Sequence, residues 1–221
     1  MDNSQYIFVT EVGSRMWGME NFASDYDLFN VFQQPSSEYL RTSNFEKTRP
    51  VKTYFEDGKE IDSQFMEIGH LIHQLEKGNV NALWAVCSGV VWKDSETLQK
   101  LRRIVVANLS KESYYSIKGM AISELNDAVK RAAVRDPAKS LWTCARTLNF
   151  WCNLLNGNGI KFEIPSAEVD KSFCELEFDR LDDCYIFSNL PEKVNPKPFE
   201  DFLYRLRRDE IIKDILNRNN Q

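Results

Sequence analysis

With 221 residues, 43% of them hydrophobic and 12% aromatic, the chain can bury a substantial core as one large or two small domains. Its formal net charge of −5 excludes a strongly basic nucleic-acid footprint over the whole chain, while leaving room for a local basic patch. The five cysteines (Cys87, Cys144, Cys152, Cys174 and Cys184) are scattered and contain no Cys-x-x-Cys pair, which argues against a disulfide framework and a thiolate zinc site.

The first element is predicted over residues 6–12, a β-branched and aromatic strand that ends at Gly13, where the chain can turn into a short helical segment starting near Ser14. Backbone N–H groups at such a helix start can face a triphosphate. Ser24-Asp25-Tyr26-Asp27-Leu28 follows, with Asp25 and Asp27 at i and i+2. On a strand these carboxylates share one face while Tyr26 takes the other, an arrangement suited to Mg²⁺. A polar segment spans 33–49, and residues 50–65 predict a β-hairpin around Glu56-Asp57-Gly58. On its second strand Asp62 lies opposite in face to Ile61 and Phe65, making a third carboxylate available.

Apolar residues recur at helical spacing from Phe65 to Lys77, with Gly78-Asn79 as the stop. Beyond about residue 95 the pattern is mostly helical: Leu98 to Leu109, Tyr114 to Arg135, and Ala138 to Leu155, the last stopped by Gly157-Asn158-Gly159. Residues 160–196, with prolines at 165, 191 and 196, carry no assignment, and a final amphipathic helix runs from Phe199 to Leu216. The expected fold is α+β: a mixed sheet with flanking helices over residues 1–107, then a mostly helical module over 108–221. The opening Met-Asp-Asn-Ser-Gln carries no basic region or apolar run, and no stretch reaches the roughly 18–20 apolar residues of a membrane span, so a cytoplasmic location without membrane partners is expected.

Residues 12–28, with Gly13-Ser14 followed by Asp25-x-Asp27, resemble the signature of the DNA polymerase beta-like nucleotidyltransferase superfamily. Ile61-Asp62 with Lys77-Gly78-Asn79-Val80-Asn81, and Lys139 with Arg146 before Leu154-Leu155-Asn156-Gly157, resemble its predicted-nucleotidyltransferase branch, which includes the RNA-ligase-associated RlaP proteins. The chain departs from that branch at Val80, where proline is frequent, near Trp84, where a glutamate follows, and at Thr143, where histidine is common. The resemblance implies a nucleotidyltransferase-type fold in which Asp25, Asp27 and Asp62 bind two Mg²⁺ or Mn²⁺ ions. Asp62 would belong with the first ion, and Asp25 and Asp27 would contact both.

The same resemblance implies an NTP substrate, transfer of NMP to an acceptor hydroxyl such as an RNA or DNA 3′ end, and release of pyrophosphate. Gly13, Ser14 and Arg15 would serve the phosphates, although Arg15 equally suits a surface salt bridge. Lys139 and Arg146, two helical turns apart, share a face that can reach a phosphate or be merely solvated. Transfer of NMP to a protein side chain, or nucleotide binding without turnover, are the alternatives. His70 and His73 share a helical face without a zinc motif, the tryptophans at 84, 92, 142 and 151 are expected in the core, and Arg205, Arg207 and Arg208 on a solvated face. Trp17, beside the Gly13 turn, is the tryptophan expected to differ.

Overall fold

The computed structural model describes residues 5–22, 24–39, 45–130 and 136–219. Strand β1 (Phe8–Val12) leads through the single-turn helix α1 (Gly13–Met16) to β2 (Tyr26–Phe32). After the short α2 (Ser36–Tyr39) come β3 (Thr48–Glu56) and β4 (Lys59–Glu67), joined at Asp57-Gly58 with both φ angles positive, the backbone that a two-residue hairpin requires. Helices α3 (Ile68–Glu76) and α4 (Val80–Cys87) precede β5 (Val91–Lys93). The remainder is helical: α5 (Glu96–Ala107), α6 (Tyr114–Lys130), α7 (Pro137–Leu155), α8 (Lys171–Phe187) and α9 (Lys197–Asn219).

The five strands form one mixed sheet in the order β3-β4-β2-β1-β5. β2 and β4 run parallel, and the other pairs are antiparallel. Period-two alternation sorts the side chains of β1 and β2 onto two faces. Val9, Leu28 and Phe32 join Tyr6, Ile61 and Phe65 in a small cluster on one side. Phe8, Phe29 and Val31 enter the main core on the other, with α3, α4, α5 and α7 packed over them. Asp27 continues the Phe29–Val31 row by one more alternation, so the helix-bearing face ends in a carboxylate.

The α+β fold expected from the sequence is present, with several boundaries moved. The helix predicted from Phe65 begins at Ile68, because Phe65 remains in β4 opposite Asn30 and Glu67 caps α3 by accepting from the His70 N–H. Asp25 sits just before β2 rather than on it. The polar segment 33–49 holds α2 and the start of β3. Residues 131–135, the end of the helix predicted to reach Arg135, lie outside the described residues. Within 160–196 stands α8, unassigned from sequence, which buries Cys174, Leu181 and Cys184 against the main core. The final helix runs Lys197–Asn219, wider than predicted, and Arg207 is not on a solvated face: it stacks over Tyr39 at 4.5 Å and lies 3.9 Å from the buried Glu67. Among the described residues no helix is long and apolar enough to cross a membrane.

Candidate active-site cleft

Three strand positions converge at one end of the sheet. Val12, the last residue of β1, pairs with Asp27, and Asp27 pairs with Asp62 across the parallel β2–β4 ladder. Parallel neighbours in register point the same way, so the Asp27 and Asp62 carboxylates project side by side from the helix-bearing face. Asp25 joins them from just ahead of β2. One carboxylate oxygen from each lies within 4.8 Å of the others, the one such acidic, cysteine or histidine group of three among the described residues.

Burial pushes the Asp27 carboxyl above its ordinary range, and Asp25 and Asp62 push it further, with Lys139 acting in the opposite direction. Three hard oxygen donors whose charges repel at close range form a set that suits a divalent cation. Thr53, opposite Asp62 on β3, donates its hydroxyl to Asp62 Oδ1 at 2.5 Å and so orients that side chain.

Gly13 is what lets the chain turn here. Its φ is +68°, and a Cβ at this position would lie 1.8 Å from Asp27 Oδ2. Only glycine combines that left-handed backbone with so close an approach to the carboxylate. Trp17, at the end of α1, anchors the turn. It is 3% exposed, and its ring meets Trp84, Phe150 and Phe162 edge-on at 5.4, 5.8 and 5.1 Å. These contacts bind the turn to α4 and α7, each aromatic pair adding ~0.5–1.5 kcal/mol beyond its buried area.

Arg15 faces protein rather than open cleft. Its Nε lies 3.1 Å from Glu11 Oε1 and donates to the Asp25 carbonyl at 3.3 Å, while Nη2 donates to the Ser24 carbonyl at 3.2 Å. The guanidinium also covers the Tyr26 ring at 4.1 Å. Glu11 is 2% exposed, and burial raises its carboxyl pKa against the lowering effects of the Trp92 Nε1–H, which donates to it at 2.7 Å, and of Arg15. Arg15 thus forms an ion pair with a buried rather than a surface carboxylate and holds the segment that carries Asp25.

Across from the acids runs α7, whose N-cap Asp136 accepts from the Ala138 N–H and whose Pro137 fits the first turn. Lys139 and Arg146 lie on its cleft-facing side, and with Gly13, Ser14, Asp25 and Asp27 they line a cleft of about 770 Å³. Arg146 stacks over Trp17 at 5.0 Å, and Nη1 donates to the Met19 sulfur at 3.3 Å. Its Nε is buried without a hydrogen-bond acceptor, and burial lowers its pKa to about 10. A guanidinium held beside a thioether, with no ion pair among the described residues, retains its capacity for an oxyanion.

Sequence reasoning missed Glu11, Thr53 and Trp142 as parts of this region. Trp142 is a correction as well: assigned to the core, it lines the cleft instead, and Trp92 is 39% exposed. The signal for Trp142 was its spacing, three residues after Lys139 and four before Arg146. Glu11 was detectable as a charge inside an otherwise buried strand.

A protein-family profile described as RlaP, RNA repair pathway DNA polymerase beta family, matches residues 2–152. Among solved structures, a nucleotidyltransferase-like protein from Exiguobacterium sibiricum is similar with a TM-score of 0.35 and 14% identity, over 94% of this chain and 70% of that one. No curated protein matches the chain.

Proposed function

The chain belongs to the RNA repair pathway DNA polymerase beta family, and from that premise we propose that it is a metal-dependent nucleotidyltransferase. It takes an NTP, joins the NMP to an acceptor hydroxyl and releases pyrophosphate. The observation that carries this reading is the cleft itself, in which Asp25 and Asp27 of the three-carboxylate cluster line one wall and Lys139 and Arg146 on α7 the other. An oxygen-donor acid cluster opposite two cations matches the needs of a metal-bound triphosphate, whose negative charge must be met on both sides.

In this reading Asp25, Asp27 and Asp62 hold two Mg²⁺ or Mn²⁺ ions. When bound, such ions supply Lewis-acid stabilisation to the attacking and departing oxygens of the transfer. The chain's own groups do the positioning. Gly13 brings the backbone against Asp27, the Ser14 hydroxyl meets a phosphate oxygen, and Arg146 and Lys139 hold the polyphosphate from the opposite wall. Arg15 supports Asp25 from behind. Residues 1–107 are then the catalytic module and 108–221 the module that completes nucleotide and acceptor binding. The family's RNA-repair context favours an RNA 3′ end as acceptor.

Incubation with each α-labelled NTP and Mg²⁺ or Mn²⁺, alongside RNA, DNA and protein acceptors, tests the proposal. Label is expected on the RNA 3′ end with wild-type protein and absent with the Asp25→Asn/Asp27→Asn variant. Transfer that persists in the variant overturns the assignment of the acids. Nucleotide binding without transfer to any acceptor class would indicate a non-catalytic module, and label on protein alone would redirect the acceptor to a side chain.

A further inference from the structure

Lys139, Trp142, Thr143 and Arg146 occupy i, i+3, i+4 and i+7 of α7, one continuous stripe along the cleft. The opposite side of the same helix supplies core residues such as Cys144, Ala145 and Leu148. The stripe is therefore the solvent-facing side of a well-anchored helix, and its charged members are accounted for by phosphate recognition. Trp142 is not. A half-buried indole in this position gives up apolar packing that Trp17, Trp84 and Trp151 obtain. Trp17 packs on Trp84, Trp92 on Tyr26, and Trp151 on Phe150, whereas Trp142 has no ring contact among the described residues.

A nucleoside triphosphate presents two chemically distinct ends. Its polyphosphate calls for cations and metal-holding acids, and its base is a flat π surface that calls for an aromatic face. Among the described lining residues of the cleft Trp142 is the sole aromatic. The cleft, at about 770 Å³, falls in the range of about 300–1,000 Å³ that encloses molecules of nucleotide size. We propose, building on the nucleotidyltransferase reading, that the Trp142 indole is the stacking platform for the base of the incoming NTP.

The neighbouring polar groups on α7 define what kind of recognition this is. The Thr143 hydroxyl donates its hydrogen to the Lys139 carbonyl at 2.9 Å, and one Asp136 oxygen accepts from the Ala138 N–H at 3.0 Å, so on this helix the indole offers the flat surface and its polar neighbours are left mainly as acceptors. The face of the base is the part that the indole meets. Stacking tolerates all four bases and strengthens with ring area, so purine nucleotides bind more tightly than pyrimidine nucleotides.

Calorimetric titration with an α,β-methylene analogue of ATP, one of UTP, and inorganic tripolyphosphate, all with Mg²⁺, tests this on wild-type protein and on the Trp142→Leu and Trp142→Phe variants. Trp142→Leu keeps apolar bulk at the cleft wall but removes the ring. It is expected to weaken the ATP analogue on the order of 10-fold, within about 5- to 150-fold, and the UTP analogue less. Tripolyphosphate affinity stays at the wild-type value, and Trp142→Phe recovers most of the loss. Unchanged affinity of Trp142→Leu for the ATP analogue, or an equal loss for tripolyphosphate, overturns the platform alone. Failure of wild-type protein to bind any of the three ligands overturns the nucleotidyltransferase reading and the platform with it.

Discussion

Replacing Gly13 with alanine tests whether the Gly13 turn serves the acid cluster. The new methyl would stand 1.8 Å from Asp27 Oδ2, 2.7 Å from Cγ and 3.1 Å from Cβ. Rotating the carboxylate cannot relieve contacts that reach back to its Cβ. Restoring ordinary contact at 3.4 Å requires the Oδ2 atom to retreat by about 1.6 Å. Alanine at φ +68° also costs ~1–2 kcal/mol of backbone strain, partly offset by the ~0.4–1 kcal/mol gained from a less flexible unfolded chain. The net loss of about 1 kcal/mol corresponds to a Tm decrease of ~2–4 °C for a chain of this length. A misplacement of about 1 Å at reacting groups costs ~10²-fold in rate. Gly18→Ala is the matched control, since Gly18 has φ +65° and open space where its Cβ would go. Thermal unfolding, Mn²⁺ titration calorimetry and pyrophosphate release are measured on both variants. Both variants are expected to lose Tm, Gly13→Ala the more because its methyl also displaces Asp27, with Mn²⁺ affinity falling and pyrophosphate release dropping on the order of 100-fold only in Gly13→Ala. Gly13→Ala that binds Mn²⁺ and turns over like Gly18→Ala refutes the reasoning.

The raised carboxyl pKa of Asp27 means that the folded state holds this proton more tightly than the unfolded state. Its contribution to stability is therefore fully present below the ordinary aspartate value and lost as pH rises through the raised one. Metal-free Asp27→Asn is expected to melt above wild type at neutral pH and to show a flatter Tm against pH over that window, and the Tm gain expected of wild type on adding Mn²⁺ should be lost. Arg15→Lys retains a charge near Glu11 but cannot span the Ser24 and Asp25 carbonyls, so steady-state kinetics should show kcat falling on the order of 10-fold with little change in KM. Arg146→Met removes a half-buried cation whose Nε lacks an acceptor and whose charge Glu124 offsets only in part; denaturant unfolding should show stability unchanged or raised by about 1 kcal/mol. Tripolyphosphate titration of the same variant should show at least a ~10-fold loss of affinity.

Local chemistry made much of the chain legible in advance. The Asp57-Gly58 turn between alternating segments specified the hairpin, and the run from Ala138 to Leu155 before Gly157 specified α7, because turn backbone and helical periodicity depend on near neighbours. Strand alternation likewise put Asp27 and Asp62 each on a definite face of its strand, whereas Asp25 lies ahead of β2 and joins them from outside that argument. β5 was too short for any alternation to appear, and the many acids of α8 obscured the few positions it buries, Cys174, Leu181 and Cys184, whose apolar partners lie on other helices.

What the tertiary structure alone decided are partnerships between distant segments. The parallel β2–β4 register sets Asp62 beside Asp27, and β3 adds the Thr53 hydroxyl. Arg15 meets the buried Glu11 and, by one bond, the Asp25 carbonyl, partners that its place in the sequence does not name. The packing of α7 against Trp17 brings Arg146 and Trp142 to the same cleft as Asp25 and Asp27, more than a hundred residues away in sequence. Residue type and spacing determine what each segment can present, whereas register and packing determine what it is presented to.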